Sequence, residues 1–371
     1  MKFGLTFAPV NPLTGDDREV GVCDLFPSES RADMFVPDFK PVPTSRRRFL
    51  LNGLLGTTAL FGLQGCGTPS EEPPTETAEI DTPTQPVDSP IVDTHMHIWA
   101  NDFKKYPVKP GTKEPEVEAT AEILIEEMDQ HGVDYSVIVQ VIYHGWDNEY
   151  VADMQQKYPD RFRTQGLIDP EDPNVVDKLA YWVEERGLHG MRMSAIYYQD
   201  KDDWITSEAH HKLWQRAADL GAVFNFFIKT HQLPELEQMV KEYPEVKVAI
   251  DHFAYLELEK ENTTEELEKL LRMADYSNVS CKLSEMSTMS LTKEYPYADT
   301  FSYVKQVFDT FGADRLMWGT GFPGSSRAHY NRPTVEEELD LVRKHLTFLN
   351  EEDKRKILGE NAYKFWKFGP V

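Results

Sequence analysis

Cysteine is scarce in this chain, with three among 371 residues: Cys23, Cys66 and Cys281. No CxxC pair or zinc-ribbon spacing occurs, which excludes a thiolate metal site and a thioredoxin-like redox motif. Basic charge is short as well. Lys and Arg total 39 against 63 Asp and Glu, a formal net charge of −24. Binding to nucleic acid needs a basic face, so this balance argues against a nucleic-acid partner. Charge-driven docking on anionic lipid is disfavoured for the same reason. The acidity itself reads as a well-solvated surface. No GxSxG elbow appears, which disfavours a serine-nucleophile hydrolase. The apolar run Phe49 to Leu63 is glycine-interrupted and too short for a comfortable membrane span. What is present is a hydrophobic content of 40%, enough to bury a sizeable core. The length suits one large α/β barrel with appendages.

The first ninety residues read as an address and a tether. Ser45-Arg46-Arg47-Arg48-Phe49-Leu50 resembles a twin-arginine export signal. The apolar run that follows ends in Leu63-Gln64-Gly65-Cys66, which resembles a lipoprotein cleavage box with Cys66 as the lipidated residue. The plainer alternative is a short buried helix with a basic cap. If Cys66 begins the mature protein, Cys281 is the one unmodified thiol and an intramolecular disulfide is impossible. Residues 67–90 hold few large apolar side chains and many Pro, Thr and Glu, a composition that cannot bury enough surface to fold. The expected organisation is a leader and signal over 1–66, a flexible linker over 67–90 and a folded domain over 91–371. The expected location is outside the cytoplasm, anchored to a membrane through Cys66.

From Ile91 onward the chain alternates between short apolar or β-branched runs and helix-period segments. Strands are expected at 91–99, 135–142, 162–169, 188–195, 222–229, 247–254, 279–284 and 315–321. Segments such as EILIEEMDQHG and TEELEKLLRMADYS lie between them, and several end in Gly, the usual residue just past a helix. Eight strand–helix units predict a (β/α)8 TIM barrel, whose chemistry sits at the C-terminal ends of the strands. A doubly wound open sheet is the alternative, weakened because no Gly-rich phosphate loop follows the first strand.

That rule selects residues. His95 and His97 lie two apart on the first strand, so a period of two puts both on one face. Paired imidazoles in an apolar strand are costly to desolvate unless something uses their nitrogens. A divalent metal, zinc or manganese, is one user, and mutual hydrogen bonding in the core is the other reading. His252, at the end of strand six, reads as ligand, general acid/base, substrate donor or structural histidine. Arg192, at the end of strand four, faces a carboxylate or carbonyl, or ties strand to helix. His144, His231 and Lys282 are candidates on the substrate side.

The runs IVDTHMHIW, GLHGMRM, THQLPELE, AIDHFA, NVSCKLS, RLMWGTGFP and GENAYKFW together resemble the amidohydrolase-related hydrolases of the amidohydrolase superfamily. The resemblance spans about residues 91–368. It implies a TIM barrel, a small-molecule substrate and an activity like that of lactonases or decarboxylases. In metal-using members the positions of His95 and His97 bind the ion, a histidine on strand five and an aspartate after strand eight complete the site, and the position of His252 moves protons. Two departures stand out. The strand-eight motif, usually Gly-Ser-Asp-Phe/Trp-Pro, reads Gly319-Thr320-Gly321-Phe322-Pro323, so the carboxylate is missing. The strand-five position appears as Phe227. A catalytic metal usually has three protein ligands, and two histidines alone hold one weakly.

Three accounts of Gly321 follow. A carboxylate from elsewhere, Glu285 just past strand seven, reaches into the mouth, against the plainer reading of a solvated loop residue; Asp251, His231 and His144 are weaker substitutes. Alternatively, a metal-free barrel opens a lactone with His252 as base and Arg192 or Lys282 stabilising the oxyanion. Or catalysis is lost, and the cleft binds a small anionic ligand. The expectation carried forward is an exported hydrolase of lactones with Glu285, His252 and Arg192 at its centre. The lipid-anchored binding protein is the alternative.

Overall fold

The computed structural model describes residues 89–194, 204–321 and 331–368, with Pro323, Arg327 and His329 between the last two stretches. The export signal, the linker to residue 88 and Cys66 lie outside the described residues.

Eight short strands run in parallel: β1 Val92–Met96, β2 Tyr135–Val139, β3 Phe162–Leu167, β4 Gly190–Met193, β5 Val223–Phe226, β6 Val248–Ile250, β7 Val279–Leu283 and β8 Leu316–Trp318. Each pairs with the next in sequence, giving one sheet in the order β1 to β8. At the seam, Thr94 Oγ1 donates to Trp318 O at 2.7 Å and Gly321 N donates to His95 O at 2.8 Å. Thr320 donates through N and Oγ1 to the two oxygens of buried Asp93, at 3.0 and 2.6 Å. The result is the expected TIM barrel. Every strand falls inside its predicted segment and stops short of the segment's end. Those trailing residues leave the ladder to build the mouth.

Between strands run α1 Ala121–His131, α2 Glu149–Lys157, α3 Val175–Ala180, α4 Glu208–Leu220, α5 Leu233–Glu242, α6 Thr263–Arg272, α7 Met286–Met289 and α8 Phe301–Phe311. Their starts follow local chemistry. Thr120 Oγ1 accepts from Ile123 N to cap α1, and Ser207 Oγ accepts from His210 N to cap α4.

Alternation sorts the strand side chains. Met191, Phe224, Phe226, Val248, Ile250, Val279, Cys281 and Leu283 join the large cluster between sheet and helices. Val92, Val137, Val139, Val223, Ala249 and Met317 form a second cluster with Trp366 and Phe368, which plugs one end of the barrel. Parallel strands covered on both faces need apolar residues on both, and that is the pattern found. The exceptions are polar residues nearer the other end, and they form the site.

Candidate active site

The site begins with an irregularity in β1. Its register against β2 shifts between Asp93 and Met96, so simple alternation is broken there. His95 and His97 end up as neighbours, with ring centroids 5.0 Å apart and planes at 81°. Behind His95 stands Asp251, just past β6. Its Oδ1 lies 3.2 Å from His95 Nδ1 and 3.0 Å from Lys282 Nζ, and its Oδ2 lies 3.4 Å from Arg192 Nε.

Burial pushes the Asp251 carboxyl up, but Lys282, His95 and Arg192 outweigh it and hold the group well below the usual carboxylate range. An ionised carboxylate only accepts hydrogen bonds, so His95 Nδ1 carries the proton and donates to it. His95 Nε2 is then a bare lone pair, and it is buried with no hydrogen-bond partner. His97 follows the same logic. Its Nδ1 lies 2.6 Å from Val139 O, a carbonyl that can only accept, which again leaves Nε2 with the lone pair. Burial drives the His97 pKa down to about 3, and Arg192 adds to the shift. For His95, burial drives the pKa well below the ordinary value, with Lys282 and His252 assisting and Asp251 opposing. Two neutral imidazoles, each with an outer nitrogen fixed by a carboxylate or carbonyl, are the arrangement that suits a cation.

His252 lies against His95, centroids 4.3 Å apart. Its Nδ1 is 2.8 Å from Ser284 Oγ. Burial lowers its pKa to about 4, although Glu285 and Asp251 oppose the shift. His252, Phe253, Ala254 and Tyr255 all have φ near +50°. Four successive left-handed residues are costly, of order 1 kcal/mol or more each. Such strain persists where the surroundings impose it, and here it aims His252 inward.

Glu285 adopts φ +58° just after β7 and is 5% exposed. Thr288 Oγ1 donates to its Oε2 at 2.7 Å, and Arg332 Nη1 donates to the same oxygen at 3.1 Å. Burial raises its pKa, but Arg332, His252, the Thr288 bond and His97 bring it down to about 2. It is therefore a buried carboxylate held by Thr288 and Arg332 and not a solvated loop residue. Gly321 has φ +93°, and a Cβ built on it would overlap Glu285 Oε1 and stand 3.1 Å from Cδ and Cγ.

The other predicted residues sort as follows. Arg192 stacks its guanidinium on Phe227, 4.1 Å from the ring centroid, beside the histidines. His231 lines a cavity of about 220 Å³ with Lys229, Tyr255, Lys260 and Asn262. Tyr255 connects that cavity to the site, because its ring lies 5.5 Å from His252 and 4.9 Å from Phe227. Lys282 is corrected. It is fully buried, donating to Thr94 O at 2.8 Å, pairing with Asp251 and lying 3.3 Å from His95 Nδ1. A side chain so enclosed braces Asp251 and His95 and cannot serve a substrate. His144 Nδ1 lies 3.1 Å from Pro107 O and its ring packs near Tyr150, in the loops beyond β1 and β2.

Sequence reading gave too little weight to Asp251 and missed Ser284, Thr288 and Arg332. Arg332 lies 47 residues from Glu285, and no local pattern signals such a pairing. One grouping within 4.8 Å joins His95, Asp251 and His252 as possible metal ligands. Asp251 already faces Lys282 and Arg192, so a cation there would meet two others. Its better role is to orient His95.

Comparisons with known proteins bear on the family and the fold. Residues 92–368 match the amidohydrolase family model. The chain is 24% identical over 286 residues to the L-fucono-1,5-lactonase of Burkholderia ambifaria, covering 74% of this chain and 95% of that protein. The crystal structure of a probable 2-pyrone-4,6-dicarboxylic acid hydrolase from Acinetobacter baumannii, with citric acid bound, aligns with a TM-score of 0.63 at 20% identity. It covers 75% of this chain and 99% of that one. An amidohydrolase from Burkholderia multivorans with bound zinc aligns with a TM-score of 0.61 at 18% identity, over 75% of this chain and 99% of that one. Both structural likenesses establish the shared fold.

Proposed function

The chain belongs to the amidohydrolase family, and from that premise we propose that it opens the ring of a small lactone, such as one formed by a sugar acid. The observation that carries the reading is the trio His95, His97 and His252, buried with their rings in contact at the mouth of the barrel. The likeness to a fucono-lactonase over nearly its whole length supports the substrate class.

In this reading the oxygen of a water adds to the lactone carbonyl carbon. His252 takes the proton that water loses and returns it to the ring oxygen as the C–O bond breaks, giving the hydroxy acid. Ser284 holds Nδ1 of that imidazole, so the proton moves through the other nitrogen. Arg192, fixed between Phe227 and Asp251, places positive charge where the carbonyl oxygen becomes anionic. His231, Lys229 and Asn262 offer polar contacts to ring hydroxyls in the adjoining cavity. His95 and His97 would hold a divalent cation, zinc or manganese, which when bound would polarise the carbonyl and lower the pKa of water. Export and anchoring through Cys66 belong to the same proposal, on the sequence pattern alone.

The test is a pH-indicator assay of the purified protein against a panel of sugar-acid 1,4- and 1,5-lactones, with and without added zinc or manganese. Turnover above the spontaneous rate is expected for at least one lactone. Its loss by ~10²–10⁴ in His252→Gln is expected for a general base. No turnover of any lactone, with saturable binding of a sugar acid, would replace this reading with the binding protein.

A further inference from the structure

We propose that the cavity beside the histidines is a subsite for a neutral, hydroxyl-bearing end of the substrate, in which Glu266 accepts from a hydroxyl and Tyr255 is the wall shared with the reacting centre. The inference deepens the lactone reading and rests on it for the identity of the reacting end.

Of the lining residues, Lys229 and His231 follow β5, Tyr255, Glu257 and Lys260 follow β6, and Glu266 lies on α6. The cavity of about 220 Å³ therefore sits at the C-terminal ends of the strands, the side that carries the histidines. Tyr255 belongs to both places. It lines the cavity, and its ring lies 5.5 Å from that of His252 with the planes at 90°. It also ends the left-handed run that His252 begins, with φ +48°. One constrained turn carries both the base and the cavity wall, so a group resting on the Tyr255 ring is held in fixed relation to His252.

The charges of the cavity select a neutral occupant. Two lysines and two glutamates line it, and both lysines are engaged. Lys229 Nζ lies 3.6 Å from Glu257 Oε1, and Lys260 Nζ pairs with Glu257 Oε2. A ligand carboxylate would have to compete with Glu257 for both. Glu266 supplies the opening for a hydroxyl. It is 8% exposed, and Asn262 Nδ2 and Lys269 Nζ both donate to its Oε1, at 3.2 and 2.5 Å. Its Oε2 is buried and accepts no hydrogen bond from the described residues. A buried acceptor without a donor is costly, and a hydroxyl is the neutral group that supplies one. The arrangement clamps one oxygen of Glu266 and presents the other.

The experiment is calorimetric binding of three kinds of acid to the full chain and to Glu266→Gln and Tyr255→Ala, with thermal melts to establish that each variant is folded. The probes are an aldonate (the tighter of D-gluconate and D-galactonate), its diacid counterpart, and 5-hydroxyvalerate, which has the acid end without the row of hydroxyls. The wild type is expected to bind the aldonate at least about tenfold more tightly than either of the others. In Glu266→Gln, Asn262 and Lys269 keep the amide oxygen, so its Nε2 faces the cavity as a donor. That variant and Tyr255→Ala should lose most of the preference while binding 5-hydroxyvalerate as the wild type does. Three results would overturn the proposal: a wild type that binds none of the acids or all three alike, a folded Glu266→Gln with its preference intact, or an equal loss for the aldonate and 5-hydroxyvalerate. The last would identify a structural role. Binding is read without turnover. A protein that shows the expected preference yet opens no lactone therefore overturns the reaction and keeps the subsite, and turnover without the preference does the reverse.

Discussion

His252 is the residue on which the pH behaviour turns. Burial lowers its pKa to about 4, so it is the neutral, proton-accepting imidazole above about pH 5. An unperturbed histidine would lose activity below about pH 6.5. We expect kcat/KM for lactone opening to stay level from pH 8 to pH 6 and to fall only as pH drops toward 4, where the ring is protonated. A fall centred near 6.5 would mean that another histidine carries the proton. At this scale the sequence was partly legible. His95, His97 and His252 were visible because polar side chains at strand ends in a barrel face its mouth. Glu285 was visible as a carboxylate near a position that lacked one. Lys282 was misread because its strand alone does not reveal that Thr94, Asp251 and His95 enclose it. Phe227 stands where a histidine is expected, and the structure gives it another task, supporting Arg192.

At the scale of elements, β1, β6 and β7 are tied together by buried charge. Lys282 on β7 reaches Thr94 O on β1 and Asp251 after β6. Removing one partner of a buried pair leaves the other charge uncompensated, which typically costs about 3–5 kcal/mol. Lys282→Met should therefore lower unfolding stability by that order in urea denaturation. The retained Arg192–Asp251 pair sets the lower end of the range. A loss below about 1 kcal/mol would show that Asp251 does not depend on Lys282. Strand existence was legible from apolar runs, and strand ends were not. A run such as AIDHFA continues to look extended by composition, while the backbone turns left-handed at His252 because Ser284 and the packed rings hold it there. Nor does composition reveal the register shift in β1, which arises from pairing with β2.

Across the whole barrel, the order of eight strand–helix units was readable because each unit is local. The bonds that close the seam join residues more than 200 positions apart and were not. One such long-range environment has a pH consequence. Glu338 is buried beneath Trp318, whose Nε1 donates to Glu338 O at 3.2 Å. Burial raises its carboxyl to about 8 from the ordinary 4.5, with Glu285 and Asp93 adding to the shift and Arg327 and Arg332 opposing it. Between those values the folded protein keeps a proton that the unfolded chain has released. The stabilising contribution is complete below about pH 4.5 and is lost as pH rises through about 8. Relative to Glu338→Gln, wild-type stability should fall by up to ~1.4 kcal/mol per pH unit across that window. Parallel stability–pH curves for the two proteins would refute this environment for Glu338.

We propose that the reacting centre lies at the mouth of the barrel, beside the rings of His95, His97 and His252. An anomalous difference map at the zinc edge, from crystals of the protein grown with zinc, tests it most directly. One strong peak is expected beside His95 Nε2 and His97 Nε2. A peak on the Asp251 side of His95, or none within reach of the two histidines, would contradict it.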